Sequence, residues 1–368
     1  MWVHFLLFFM IVFIIMLQKL LYPNSQKNYI VFPGVFLLFF TFIAFRAYTV
    51  GNDTPEYYRL FTDIIMQPSL FDALSISRYE IGYISFNYFI GILTNNFTVL
   101  LSIVALFYLY TSFQFINKYA KSPLLAIILM FTFSLFYKAI IIQRQCIALS
   151  IIYLALSFLI RNERNIFILL VCIASLFHSS ALITLVVLFI PAIDFSDIKR
   201  LKKWGFIFIV SLFCLNFGIE KLLSFFPYYQ HYYFNSIYGE GGIRTASIAL
   251  LGIRLFSLIL VFVTGGFRYQ RKDNSLETLF FNKVLIFDLY LTAASIGFNL
   301  IDRLEIYFTL GFIIAIVNAV CSLKEYNRIQ KNNKIIITFL LVLTTFAYMT
   351  ATVVLRSSWM GIFPYSFI

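Results

Sequence analysis

Apolar runs of roughly 17 to 25 residues recur along the chain, and each is long enough to cross a hydrocarbon core about 30 Å thick as a helix. Inside hydrocarbon every backbone N–H and C=O must be satisfied within the spanning structure, which leaves helices or a closed barrel. The alternation that marks a barrel strand is absent, so helices are expected. Of 368 residues, 61% are hydrophobic and 12% charged, and the mean hydropathy is +0.90, too apolar to clothe a soluble domain. The predicted fold class is all-α: a polytopic membrane helix bundle of about 12 transmembrane helices, within a range of about 11 to 14, with outward amphipathic helices and loops.

Short basic loops orient such a chain. Lys19 with Lys27, Lys118 with Lys121, Arg161 with Arg164, Lys199 to Lys203, Arg268 to Lys272 and Lys324 to Lys334 fall between apolar runs and read as cytoplasmic. Most of the net charge of +12 is thereby explained as an orientation signal, and no nucleic acid is expected as a partner. Spans are predicted at about 2–18, 30–46, 97–116, 122–138, 145–160, 165–178, 180–193, 203–220, 246–264, 278–300, 304–322 and 335–355, with both ends outside. The two arms flanking His178 are only about 13 residues each, which suggests strong tilt or a re-entrant hairpin with His178 at its tip. Segment 81–93 is apolar too, but a crossing there breaks the charge pattern, so it is placed at the outer interface.

No Gly, Pro or Ser-rich linker and no fixed-period repeat divides the sequence, so residues 1–368 read as a single membrane domain with outward segments at about 47–96 and 221–245. The first twenty residues lack a basic n-region and a small-residue cleavage site, which predicts a retained helix. Cys146, Cys172, Cys214 and Cys321 lie in apolar segments without ligand spacing, so neither a disulfide nor a metal site is expected.

Lysine gathers on the inward side, whereas Arg46, Arg59, Arg78, Arg144, Arg244, Arg303 and Arg356 fall outward. The orientation rule counts both residue types alike, so an outward arginine set points to a ligand, and a planar fork of donors suits diphosphate. In FRAYTVGNDTPEYYRLF, Asp53 or Thr54 caps a helix that has Pro55 in its first turn; the N-terminus, with Arg46 and Arg59, favours an anion, or Asp53 merely caps. Arg144, beside Gln143 and between apolar stretches, meets either lipid headgroups or a substrate phosphate. His178 sits in an apolar stretch and has the pKa class for proton transfer, while His4 and His231 have no such context.

Asp302 and Glu305 lie three apart around Arg303, and either orient it, accept a proton, or cap the helix with a local ion pair. Arg254 and Asp288 fall at similar depths of roughly 14 and 18 Å, which predicts a buried pair, although Arg254 also has the reach for a diphosphate above it. The aromatic segment FFPYYQHYYFNSIYGEGG, with Tyr229 and Tyr232, reads as an interfacial belt or as a platform for sugar rings.

These stretches, followed in order by RYEIGYISFN, QRQCIALSIIYLAL, ASLFHSSALITL, DRLEIYF and WMGIFPYSF, resemble the EpsG-like and Wzy-type polysaccharide (O-antigen) polymerases of bacterial inner membranes, over nearly the whole chain from about residue 45. The resemblance implies a GT-C-like inner-membrane glycosyltransferase with its active site facing the periplasm. Its substrate is an undecaprenyl-diphosphate-linked oligosaccharide, whose growing chain is moved to the non-reducing end of the next lipid-linked unit. Membrane lipids, a chain-length regulator protein and a flippase are the implied partners, and no cofactor is expected. Such chemistry needs cations for the leaving diphosphate and a base for the acceptor hydroxyl. Charge pattern and likeness together nominate Arg46, Arg144, Arg244, Arg303 and Arg254 for diphosphate. They nominate His178, then Asp53, Glu80 and Asp302, for base or acceptor orientation, and Tyr57, Gln143, Tyr229 and Tyr232 for sugar. The competing classes are a lipid-linked oligosaccharide flippase, which requires charges along a path through the bilayer, a membrane sugar O-acyltransferase, and a non-enzymatic scaffold.

Overall fold

The spacing of buried apolar residues explains where the helices face. The computed structural model describes residues 2–23, 30–195, 197–223, 245–267, 275–297, 301–323, 328–356 and 360–368, and every named element among them is helical. The chain divides into two compact units, Met1–Leu185 with Met349–Ile368, and Val186–Tyr348.

In the first unit, α1 (Trp2–Leu21) buries Leu7, Ile11 and Ile15, and α2 (Val31–Ala44) buries Val31, Val35, Phe39 and Ile43. A four-residue step puts each set on one stripe. Other faces expose Phe9, Phe13, Met16 and Leu37, as befits helices surrounded by lipid. The Phe39 ring lies 4.5 Å from Phe136 and stacks on Phe131 at 6.0 Å, so aromatic contacts fill the core between α2 and its neighbours.

The segment that the charge pattern reads as outward folds into three short helices. α3 (Thr54–Ile65) turns Tyr57, Leu60, Phe61 and Ile64 inward, while Glu56 and Arg59 pair on its exposed face at 3.7 Å. α4 (Leu70–Ile76) opens on Ser69, whose Oγ accepts the Asp72 N–H at 3.2 Å. α5 (Ile81–Leu93) packs on both.

α6 (Phe97–Tyr119) is capped by Asn96, which accepts the Thr98 N–H at 2.9 Å. The expected span at 122–138 is broken instead. α7 (Pro123–Thr132) and α8 (Leu135–Ile141) meet at 53°, with Ser134 in the left-handed region at φ 65° between them. α9 (Gln143–Ile160) is largely buried and α10 (Arg164–Ser175) packs along it. A ten-residue 3-10 helix, Ser179–Leu188, follows the turn at His178.

Residues 360–368 return to the end of α2. The Ala47 N–H donates to the Ser366 carbonyl at 2.9 Å, the Ile368 N–H donates to Phe45 at 3.1 Å, and Arg46 forms an antiparallel bridge with Phe367. Further along, the Gly51 N–H reaches the Gly361 carbonyl at 2.8 Å and the Asn52 N–H reaches Met360 at 3.1 Å. The Tyr365 hydroxyl donates to the Phe42 carbonyl, and its ring stands edge-on to buried His4 at 6.3 Å.

The second unit contains α11 (Ile198–Leu223), α12 (Thr245–Val263), α13 (Leu276–Ala294), α14 (Ile301–Cys321) and most of α15 (Arg328–Met349). α14 is buried on nearly every side, against α12 and α13.

Six helices among the described residues are long and apolar enough to cross a membrane, or seven when the bent α7–α8 pair is one span. Val31–Ala44, Ile81–Leu93, Arg164–Ser175 and Ser179–Leu188 are shorter than the roughly 20 residues of an ordinary crossing. α13 carries Glu277, Lys283 and Asp288 within 19 residues. The chain is a helical polytopic membrane protein, with fewer clear spans than the sequence pattern predicts.

Because Phe39 is fully buried among aromatic rings, Phe39→Ala should cost about 3–5 kcal/mol through the cavity it leaves. Thermal unfolding in detergent checks this, with Phe9→Ala, at a lipid-facing position, leaving the midpoint unchanged.

Candidate functional site

A close approach of two segments builds the site. The Gly82 N–H, in the first turn of α5, donates to the Leu176 carbonyl at 2.9 Å, and a Cβ on Gly82 would stand 2.7 Å from that oxygen. Only glycine allows this contact. It brings the turn at His178 against Glu80, the residue preceding α5.

Glu80 then joins three chain segments. Its Oε1 accepts the Ser179 N–H at 3.0 Å and lies 3.3 Å from the Ser179 hydroxyl, while Oε2 accepts from Arg144 Nη1 at 2.5 Å. Arg144 sits in the first turn of α9, its Cζ 3.9 Å from the centre of the Tyr79 ring and 6.0 Å from that of Tyr83. The Tyr57 hydroxyl lies within the electrostatic reach of Arg144. Gln143, buried beside it, accepts the Tyr83 hydroxyl at 3.4 Å. The cage of three tyrosines and one carboxylate holds a guanidinium that is still 16% exposed.

Electrostatics follow from this geometry. Burial pushes the Glu80 carboxyl up, but Arg144 and the Ser179 N–H outweigh it, and the group ends below the usual carboxylate range. Burial raises the Tyr57 phenol well above its ordinary value, and Arg144 only partly offsets this, so Tyr57 keeps its proton.

His178 is half-buried beside this pair. The Ser180 N–H points to its Nδ1 at 3.4 Å, and the Ser180 hydroxyl lies 2.8 Å away. A backbone N–H can only donate, so Nδ1 is the acceptor and the neutral ring carries its proton on Nε2. Asp53 holds the N-cap position of α3, yet its side chain makes no capping bond; its charge acts instead on Tyr57 and Tyr79. The capping alternative read from the sequence is therefore not what the structure contains.

Arg46 is 1% exposed. Nη1 donates to the Ile43 carbonyl at the C-terminal end of α2, Nη2 reaches Thr54 Oγ1 at 3.5 Å, and the buried Nε has no hydrogen-bond partner. Among the described residues no carboxylate pairs with it. Burial pushes its pKa down to about 10, so it stays charged at neutral pH, facing the negative end of the α2 dipole.

A second constellation lies in the other unit. Arg254 is buried between Asp288, with Nε 3.2 Å from Oδ2, and Glu305, with Nη1 2.7 Å from Oε2. The Nε contact is out of line for a hydrogen bond, so the link to Asp288 is charge-to-charge. Arg254 also donates to Thr292 and, at 2.8 Å, to Thr309. The expected Arg254–Asp288 pair is present, but Glu305 turns inward to join it and does not flank Arg303. Glu305 is buried, Asp302 is half-buried and Arg303 is exposed. Enclosed by acids and threonines, Arg254 presents no open face to a diphosphate.

The structure thus gathers Arg144, Glu80, His178, Gln143 and Tyr57 in the first unit, with Asp53 in electrostatic range, and sets Arg46 just past the end of α2. Asp302, Arg303 and Arg254 belong to the second unit. Arg244, Tyr229 and Tyr232 lie outside the described residues. Sequence reasoning missed Tyr79, Tyr83, Ser179 and Ser180; only the Tyr79–Glu80 neighbourhood in RYEIGYISFN hinted at a cage. Among the described residues no group of His, Cys, Asp and Glu is arranged to hold a metal ion.

A carboxyl whose folded-state pKa is depressed stabilises the fold above its unfolded value, about 4.3, and the contribution fades as pH falls through the folded value. Hydrogen exchange at the Ser179 amide should therefore be flat with pH above about 4.3, once corrected for intrinsic rate, and protection should fall below it. Glu80→Gln removes that step. In the second unit, Arg254→Ala leaves two buried acids without a cation and should cost about 3–5 kcal/mol in detergent unfolding.

No curated protein and no solved structure shows a significant match to this sequence. The family model described as the EpsG family matches residues 29–367, almost the full length and every segment of the Arg144 site, and the chain belongs to the EpsG family.

Proposed function

We propose that this EpsG-family protein is a polysaccharide polymerase, a glycosyltransferase that joins undecaprenyl-diphosphate-linked repeat units at the periplasmic face of the inner membrane. The bundle that carries it is GT-C-like, with about 12 crossings read from the charge and hydropathy pattern. What supports this reading is one observation: Arg144 is held by Glu80 and Tyr79, with Tyr57 and His178 beside it, and its side chain keeps 16% of its surface exposed.

In this reaction the acceptor hydroxyl oxygen bonds to the anomeric carbon of the growing chain as the carbon–oxygen bond to the diphosphate breaks. The bonding electrons leave with the diphosphate, and the hydroxyl proton passes to a base. Arg144 meets the developing charge on the diphosphate, and the Nε2–H of His178 adds a donor. Tyr57, which keeps its proton, lines the same face.

Asp53 is the base in this reading, by its place at the start of α3 within electrostatic range of Tyr57 and Tyr79, and Glu80, whose two oxygens are engaged, is a positioning residue. Arg244 and Arg303 supply further positive charge on the outward side, Arg46 braces the loop, and Asp302 is a second acid to test. Tyr229 and Tyr232 offer ring faces to the sugars, whereas Gln143 serves by fixing Tyr83.

Purified protein in vesicles with lipid-linked repeat units tests this. Arg144→Ala should lower kcat/KM on the order of 10²–10³-fold. Asp53→Asn should lower it on the order of 10²–10⁴-fold, with Asp302→Asn and His178→Ala run alongside. Long product from Arg144→Ala at the wild-type rate would sink the assignment. Lipid-linked units carried across the bilayer without being joined would favour the flippase.

A further inference from the structure

We infer that the segment 360–368 is a positioning element of this site, acting through Gly361 on the loop that launches α3. The inference rests on the polymerase reading above and adds to it the part that fixes the base.

The loop between α2 and α3 carries Arg46 at one end and Asp53 at the other. Ser366 and Phe367 hold its first part, by the Ala47 hydrogen bond and the bridge to Arg46. Met360 and Gly361 hold its last part, each accepting one backbone N–H, from Asn52 and Gly51 respectively. Asn52 is the residue before Asp53, and Tyr57 lies one turn on. Two groups at the Arg144 cage therefore take their place from a backbone clamped by a segment some 300 positions away in sequence.

Gly361 makes the clamp possible. Its φ is +61°, a region that L side chains rarely adopt, and a Cβ there would stand 2.1 Å from Asn52 Oδ1 and 3.0 Å from Asn52 N. The loop's own Gly51, at φ +95°, meets the same demand: a Cβ on it would stand 2.9 Å from Thr54 Oγ1 and 3.1 Å from the Ile140 carbonyl. The two glycines face each other through the hydrogen bond from Gly51 to Gly361. Aromatic packing secures the rest, with Phe42 5.2 Å from Tyr365 and 5.1 Å from Phe367, ring to ring.

None of these residues has to touch the diphosphate or the sugar. Their effect is on the distance between Asp53 and the acceptor, and a displacement of about 1 Å at a reacting group can cost on the order of 100-fold in rate. A loosened clamp therefore lowers kcat more than it raises KM, while a segment that only stabilised the fold leaves the folded fraction's kcat unchanged.

The test compares Gly361→Ala with Gly361→Ala/Asn52→Gly, in vesicles with lipid-linked repeat units, after each is shown to be monodisperse. The single variant should lose about 10- to 100-fold in kcat with KM little changed, and its Gly51 and Asn52 amides should exchange faster. Removing the Asn52 side chain takes away the nearest atom that a Cβ at 361 strikes but leaves the Asn52 N contact and the positive φ, so the double variant should recover part of the rate that Gly361→Ala loses, measured against Asn52→Gly alone. A wild-type kcat in Gly361→Ala with those amides deprotected overturns the inference. So does a loss that tracks only the amount of folded protein and that Asn52→Gly does not relieve. If Arg144→Ala also turns over at the wild-type rate, the polymerase reading itself has failed.

Discussion

The Glu80 carboxylate divides its two oxygens between the turn at Ser179 and the guanidinium of Arg144, which lie 99 and 64 positions away. Remove that group and each partner loses something different. The Ser179 amide is left without its acceptor at the start of the 3-10 helix, and Arg144 is left as a half-buried cation resting on tyrosine rings. The pair is neutral as a whole, which is why it can sit low against apolar helices, yet the guanidinium keeps donors to spare. A point charge on a lysine would satisfy Glu80 but could not also lie flat on Tyr79.

The buried arginines of this protein solve the cost of their charge in separate ways. Arg254 has two carboxylates and two threonines around it, and ties α12, α13 and α14 together. Formally that cluster carries one more acid than base, so its cohesion depends on hydrogen bonds as well as charge balance. Arg46 has no acid. Its charge rests on the carbonyl end of α2 and on Thr54, and so binds the end of one helix to the beginning of another. Arg144 alone among the three keeps appreciable exposure, and a ligand-binding cation must keep it.

Much of the helical framework is legible in the sequence because lipid enforces it: runs of apolar residues at 2–18, 97–116 and 304–322 have little alternative to helices and appear as α1, α6 and α14. The bend at Ser134 was not legible, since nothing in the local residue types marks a left-handed serine between two apolar stretches. Within the site, Glu80 entered only among the candidates for a base, whereas Arg144 and His178 each stood out as polar groups beside apolar runs. Their meeting did not, because it depends on Gly82 admitting the Leu176 carbonyl. Glu305 was misread for a related reason. Sequence spacing places it with Asp302 around Arg303, and only the packing of α14 shows that its partner is Arg254.

On the polymerase reading proposed above, the division of labour among arginines bears on how the site would select a diphosphate in a protein surrounded by lipid phosphate. An exposed arginine such as Arg59, paired with Glu56 on the face of α3, meets any headgroup that approaches. Arg144 is different, because Tyr79 covers one of its faces and Glu80 takes one of its edges, so an anion must come along the remaining edge with its oxygens near the plane of the guanidinium. That restriction costs affinity for a loosely held phosphate and favours a ligand fixed elsewhere by its sugars. Selectivity of this kind comes from what the cage shields rather than from additional charge.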